Sequence, residues 1–499
     1  MTDEFSQPNR QSIFAIIMII QKRISVIIRQ IWPIIIVFLI GGNGSGRREY
    51  LLYATIVIAL FSMVWSVISY FKYYFYIHQD ELIIEKGVLS KTRLNIPFDR
   101  IQSVNFQQNV VHQLLKVIKV EIDTAGSAGN EFALDALSVG RAQRLRDIIL
   151  ARKAETDKHI VEAGAISANE ATHVEEVEER ILQLSVSDLI KVGISQNHLR
   201  SGLVIFFAGS WMMSQLNEVG FDFESQFESY FENAIAMGLV ATLIIVVFFI
   251  VVSFIISLIR TVFTHFNLQV WRVGSKYRII RGLFTRKETS AVDSKIQIIE
   301  WADNPLKRIF SYYDVRLKQA SSTAVNAKQS IFIPGCQPTQ IEQLKTNWLG
   351  EEALFGIENQ GISIHYFYRR VLFRIIFNCI LSTGLFIYEN WLFWPSLLLL
   401  PYFIITSWLA YQKVTYAINH EILHTTRGVF GNWNSIMPLY KIQSVVLGQT
   451  PYQLRRDLAT VSVMTASGKL NIPYVELRVA KQLKDYLLYR IETDRRDWI

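Results

Sequence analysis

The sequence predicts an α+β membrane protein in which one plan is used three times. Each time a transmembrane helical hairpin leads into a small antiparallel β-barrel or sandwich with a C-terminal helix. Three observations predict it. The first is a repeated block. Lys86-Gly87-Val88-Leu89, Ile101-Gln102-Ser103-Val104 and Thr124-Ala125-Gly126-Ser127 form the first copy. Arg281-Gly282-Leu283-Phe284, Ile296-Gln297-Ile298-Ile299 and Gln319-Ala320-Ser321-Ser322 form the second. Arg427-Gly428-Val429-Phe430, Ile442-Gln443-Ser444-Val445 and Thr465-Ala466-Ser467-Gly468 form the third. In every copy the Gln follows the Gly by 15 positions and the Ala follows the Gln by 23. Such constancy through divergent sequence marks copies of one folded unit. The second observation is a pair of long apolar segments ahead of each copy. The third is composition: 51% of 499 residues are hydrophobic, too many for an ordinary soluble protein and suited to a membrane protein with large polar parts.

Six segments approach the roughly 20 residues a helix needs to cross a bilayer. They are 24–40 (interrupted by Arg29 and Pro33), 51–71, 199–216, 234–259, 371–388 and 391–411. A glycine-rich turn over 41–46 joins the first pair, and Glu389 and Asn390 alone join the third. Lys and Arg asymmetry sets the orientation. The loop 217–233 holds Glu218, Asp222, Glu224, Glu228 and Glu232 and no Lys or Arg. The opposite ends carry Lys22, Arg23, Lys72, Lys191, Arg200, Arg260, Arg369, Arg370 and Lys413, which places all three repeats in the cytoplasm; Arg47 and Arg48 run against the bias. Arg29 and Arg374 lie near the cytoplasmic ends and can snorkel, while Asn378, Ser382 and Thr383 read as interhelical glue. Residues 12–21 and 181–194 read as short helices lying in the interface. Residues 151–180, with eight acidic and four basic side chains, read as a flexible acidic linker. An N-terminus opening on Asp3 and Glu4 without a small-residue cleavage site argues against a cleaved signal peptide.

The division that follows is 1–71, interfacial helix and first hairpin; 72–154, first repeat domain; 155–180, linker; 181–260, interfacial helix and second hairpin; 261–350, second repeat domain; 351–412, third hairpin; and 413–499, third repeat domain. Within the repeats, alternation marks strands at 76–86, 101–106, 117–124, 277–280, 313–318, 416–423 and 459–465. Each copy closes with an amphipathic helix (139–154, 338–349, 479–491) on which Leu145, Leu344 and Leu483 occupy comparable places. Short strands closed by one helix suggest a small barrel or sandwich plugged by that helix.

The run Glu81-Leu82-Ile83-Ile84-Glu85-Lys86-Gly87-Val88-Leu89, with Ile96-Pro97-Phe98-Asp99-Arg100-Ile101-Gln102-Ser103-Val104, resembles the bacterial pleckstrin-homology-like (PH-like) domain of YdbS/YdbT-type membrane proteins. The third copy keeps Met437-Pro438-Leu439-Tyr440-Lys441-Ile442-Gln443-Ser444-Val445, whereas the second reads Ala291-Val292-Asp293-Ser294-Lys295-Ile296-Gln297 and lacks the proline. The resemblance covers nearly the whole chain. It implies PH-like barrels at a bacterial cytoplasmic (inner) membrane and does not by itself imply an activity.

Two sets of residues stand out. The basic residue before Ile-Gln (Arg100, Lys295, Lys441) either contacts a ligand or bridges backbone carbonyls at a strand start, with Gln102, Gln297 and Gln443 satisfying edge groups. The turn after Gly87 and Gly282 carries Lys86, Lys91 and Arg93, and Arg281, Arg286 and Lys287. These cations either hold anionic headgroups, as the resemblance implies, or form a solvated turn. The third copy has Arg427 and then Gly431-Asn432-Trp433-Asn434 after Gly428, where Trp433 could enter the interface.

The net charge of +8 is scattered without a nucleic-acid-binding motif, so the bilayer and another protein are the expected partners and nucleic acid is not. Two cysteines and nine dispersed histidines, including His420 and His424, supply neither a disulfide framework nor a metal site. No catalytic or nucleotide-binding motif occurs, so neither cofactor nor enzymatic activity is expected. The sequence therefore favours a non-enzymatic membrane scaffold that presents three PH-like domains to protein or lipid. The alternative is a component of a membrane transport, export or resistance system.

Overall fold

The computed structural model describes residues 4–26, 46–124, 132–164, 178–196, 239–320, 330–388, 393–494 and 496, with 202, 204, 207 and 211. Two compact units emerge: Met1–Glu175 with Ser185–Leu268 and Ile279–Thr289, and Glu176–Leu184 with Gln269–Arg278 and Ser290–Ile499. The second repeat contributes to both.

In the first unit, β1 (Tyr74–His78), β2 (Glu81–Lys86) and β3 (Thr92–Pro97) form one antiparallel sheet. Strands β4 (Ile101–Gln108), β5 (Val117–Thr124) and β6 (Phe132–Ser138) begin a second. The two sheets enclose Leu82, Ile84, Phe98, Val120 and Leu134, and the Val139–Gly164 helix plugs them with Ala142, Leu145 and Ile149, all buried. Removing such a side chain from water stabilises by about 1.5–3 kcal/mol. The sandwich closed by a terminal helix is as the alternation predicts. The span 76–86, however, is two strands: Gln79 turns the chain at φ 55° without a Gly or Pro to announce it.

The N-terminus differs too. The residues ahead of the helix at 15–26 run along the first repeat through bends and a single β-bridge at Asn9. Asn9 and Phe75 exchange N–H···O bonds of 2.9 Å, Ile77 donates to the Phe5 carbonyl at 2.7 Å, and Phe5 is buried 6.1 Å from the Phe75 ring. The expected linker 155–180 is helical to Gly164 and strand from Glu178; residues 165–177 lie outside the described residues. Its Lys, Ala and Glu are good helix formers, so the terminal helix continues. The expected interfacial helix 181–194 is strand up to Gln183. Ser185 then caps a helix over Val186–Ile194 in a capping box with Asp188, and Leu189 and Val192 are buried.

The second repeat comprises β8 (Gln269–Val273), paired with β7 (Glu178–Gln183), then β9 (Lys276–Arg281), β10 (Arg286–Val292), β11 (Ile296–Ala302), β12 (Tyr313–Gln319) and β13 (Ser330–Cys336). The third has β15 (Thr415–Ile418), with the short β14 (Gln360–Gly361) from ahead of the repeat paired on it, then β16 (Ile422–Arg427), β17 (Trp433–Pro438), β18 (Ser444–Gly448), β19 (Leu458–Thr465) and β20 (Gly468–Glu476). In the second unit a seven-stranded sheet runs β13-β12-β11-β17-β16-β15-β14 beside the three-stranded β18-β19-β20. The Leu477–Thr493 helix plugs the third repeat with Ala480, Leu483 and Leu487, packed on Leu423, Val461 and Ile472.

The described residues support two membrane spans rather than six. Val247–His265 and His365–Ile387 are long and apolar enough to cross a bilayer. The Gly46–Phe71 helix has its described apolar part only over Val57–Phe71. The sixth expected segment is broken into Phe393–Leu397 and Leu399–Lys413, because Pro401 has no N–H for the Leu397 carbonyl. Segments 24–40 and 199–216 and the acidic loop 217–233 lie largely or wholly outside the described residues. Ser382 does act as glue, its Oγ 2.7 Å from that of Ser396.

Candidate functional site

Edge strands carry unpaired backbone groups, and here successive repeats cover them. In the first unit β10 pairs with β4: Arg286 faces Gln108, Lys287 faces Gln107 and Glu288 faces Phe106. In the second unit β17 pairs with β11: Trp433 faces Ala302, Asn434 faces Trp301, Ser435 faces Glu300 and Ile436 faces Ile299. Lys287 and Trp433 each lie five residues after the repeated Gly, and Gln107 and Ala302 each five after the repeated Gln. The two junctions therefore share one register. The third strand of each repeat docks on the fourth strand of the repeat before it. Among the described residues no strand lies on the outer edge of β3 or of β18, the same two edges at the ends of the tandem.

The repeat motif builds these edges. Ile101 and Ser103 face Thr124 and Asp123, and Ile296 and Ile298 face Gln319 and Lys318, so Gln102 and Gln297 are bulged residues that bend the fourth strand. Gln297 is buried, Gln443 is exposed and donates its backbone N–H to Met464, and the side chain of Gln102 lies outside the described residues. Gly87, Gly282 and Gly428 have φ of 122°, 104° and 155°, and a Cβ there would collide with the carbonyl oxygen of Ser90, Thr285 or Gly431. The repeated turn admits only glycine.

Lys441 is fully buried. Its Nζ donates to the carbonyls of Asp293, Ser294 and Ile296 at 3.2, 2.6 and 2.6 Å, around the equivalent turn of the second repeat. Burial pushes the amine down to about 8, against the opposing charge of Asp293. Of the two roles open to it, carbonyl bridging is the one the geometry shows. Lys295 is half-buried, and Arg100, at the same place in the first repeat, is exposed.

The six turn cations are not gathered into one pocket. Lys86, Lys91 and Arg93 are exposed, with Arg93 3.9 Å from Glu85. Arg281 is half-buried and its guanidinium pKa is lowered by burial. Arg286 and Lys287 are exposed within the β10 junction. The turn tips are apolar instead. Leu89 is 87% exposed and Phe284 51%, and Phe284 meets Phe263 edge-on at 4.8 Å while Gly282 and Leu283 donate to the carbonyls of Phe266 and Phe263. Trp433 is held between the guanidinium groups of Arg316 and Arg427, 4.6 and 5.3 Å from its ring, so it is committed to the second junction. His424 stacks on Trp301 at 5.5 Å and is pushed down to about 4 by burial and by Lys345. His420 is exposed, and no cluster suited to a metal occurs among the described residues.

One group was missed by sequence reasoning. Arg369 and Arg370, read only as orientation markers, join Tyr366, Phe373, Arg374 and Tyr474 around a cavity of about 420 Å³. Spacing along one helix could have flagged the three arginines, but not the tyrosine a hundred residues away.

Three stretches, 24–153, 230–351 and 371–491, match the bacterial PH domain family. This chain belongs to the bacterial PH domain family. Each match pairs one bacterial PH domain with the segment ahead of it, which agrees with the repeat unit read from the Gly and Gln spacing. The chain is also 25% identical over 470 residues, 93% of its length and 94% of the relative's, to the UPF0699 transmembrane protein YdbT of Bacillus subtilis (strain 168).

Proposed function

We propose that this membrane protein is a non-enzymatic, multi-pass scaffold of the bacterial inner membrane whose three cytoplasmic PH domains present strand edges to a partner protein. The shared register of the two internal junctions carries the reading: this fold twice accepts a neighbour on a third-strand or fourth-strand edge, and β3 and β18 offer those edges at the ends. An open edge accepts an extended segment by β-augmentation. Exposed Lys91 and Arg93 beside β3 favour an acidic segment there, and Val446, exposed on β18, offers an apolar contact.

Photo-crosslinkers at Arg93 and at Val446 in the full chain, expressed in its own membrane, test the proposal. Adducts to one protein from these positions, and none from Lys287 on the covered edge, are expected. Equal labelling at all three, or no protein adduct at the open edges, would contradict it.

A further inference from the structure

We infer that the third repeat and the helix ahead of it form a site for one phosphate-bearing anion, the headgroup of an anionic lipid, among Arg369, Arg370, Arg374 and Tyr474. The inference is independent of the open edges.

The three arginines lie in the first turns of the His365–Tyr388 helix, where a helix apolar enough to cross a bilayer meets the third repeat. Arg369 Nη1 donates to Thr450 Oγ1 at 2.9 Å and to the Tyr474 hydroxyl at 2.7 Å. Arg370 Nη1 donates to the Tyr366 hydroxyl at 2.8 Å, and its Nε is shielded from solvent without an acceptor. Arg374 Nη1 lies 3.2, 2.6 and 3.0 Å from the Phe403 carbonyl, Thr406 Oγ1 and Ser407 Oγ. All these acceptors are neutral. Among the described residues no carboxylate forms an ion pair with any of the three, whereas Arg272, Arg308 and Arg496 each have one. Three half-buried cations around one cavity repel one another, and an anion among them removes that penalty. Arginine is the side chain best suited to grip phosphate oxygens with several donors.

Tyr474 supplies a second, unrelated observation. It sits in the bulge of β20 at φ 55°, a left-handed backbone that a tyrosine adopts only under strain. The corresponding bulge of the second repeat carries Gly335 at φ 74°, in Ile333-Pro334-Gly335 against Ile472-Pro473-Tyr474. Where its sister repeat uses glycine, the third repeat holds a strained tyrosine whose hydroxyl reaches Arg369. The rings of Tyr366, Phe373 and Tyr474 form an apolar wall behind the cations, and Arg369 lies over the last two at 5.3 and 6.0 Å. Cationic donors in front of an apolar wall at a bilayer boundary favour a lipid phosphate over a free one.

Native mass spectrometry of the full chain in detergent, with added phosphatidylglycerol, phosphatidylcholine or inorganic phosphate, tests this. One phosphatidylglycerol per chain should be retained in preference to phosphatidylcholine, and inorganic phosphate should not displace it. Replacing Arg369 and Arg374 by Gln together should weaken retention at least about tenfold, from roughly 1 kcal/mol per cation. Tyr474→Phe, which removes only the hydroxyl, should lower retention with an unchanged melting temperature, and it carries the test if the double variant does not fold. Equal retention of both lipids, or unchanged retention in these variants, would overturn the site. Displacement by inorganic phosphate would overturn the lipid as its ligand.

Discussion

The β4–β10 junction of the first unit and the β11–β17 junction of the second share a register but differ in what surrounds it. At the first, exposed Arg286 and Lys287 flank the pairing, and the supports are polar: Arg146 to Glu288 at 2.6 Å, and Gln113 Nε2 to the carbonyls of Leu283 and Phe284 at 3.1 and 3.2 Å. At the second, Glu300 is buried and accepts from Lys318 at 2.7 Å, while Asn432 and Asp303 exchange bonds of 2.6 and 3.0 Å. Trp301 stacks on His424, and Lys441 is sealed over three carbonyls. Backbone pairing sets where repeats meet, and side chains set how firmly. The second junction is built like a core and the first like a surface contact.

The largest predicted effect breaks the second junction. Lys441→Ala empties a fully buried side-chain site and takes a donor from the buried Ile296 carbonyl and from those of Asp293 and Ser294, so a loss of about 3 kcal/mol or more is expected in denaturant unfolding of the full chain. Arg100→Ala, at the same repeat position but exposed, should stay within about 0.5 kcal/mol. Equal effects would mean that Lys441 does not pin the repeats.

Gly87→Val and Gly428→Val should cost alike, on the order of 1–3 kcal/mol, because the turn is the same on or off a junction. The full chain is the right sample, since Phe5 and Asn9 pack on the first repeat from outside it. A loss confined to Gly428 would tie the glycine to the junction instead.

The third effect depends on pH. His424 ionises near 4 in the fold and near 6.5 when unfolded, so the unfolded state takes up the proton first. Stability present above pH 6.5 should fall as pH drops toward 4, and His424→Phe should flatten that part of the profile. Of the two junctions the first should give the smaller effect: Arg146→Ala, removing one half-buried pair, should cost no more than about 1 kcal/mol.

The sandwich was legible in the sequence because alternation and the terminal helix are patterns of side chains. The junctions were not. They are made by backbone groups that every residue carries, and only register distinguishes them. Lys441 was visible as a repeated cation, but its role depends on carbonyls 145–148 residues away. Gln79 turns without Gly or Pro, and Phe5 looks like any terminal residue. The break at Pro401 was readable, since proline interrupts a helix wherever it falls in the interior. Tyr474 becomes conspicuous only when its bulge is set against that of Gly335.

Hydrogen exchange of the full chain tests most directly the claim that strand pairing fuses the repeats with unequal strength. Amides over Ile299–Ala302 and Trp433–Ile436 should exchange as slowly as those in the core strands β19 and β20. Those over Arg286–Glu288 should be protected but faster, and those on the open edge of β3 fastest. Fast exchange at both junctions, at the rate of β3, would contradict the account.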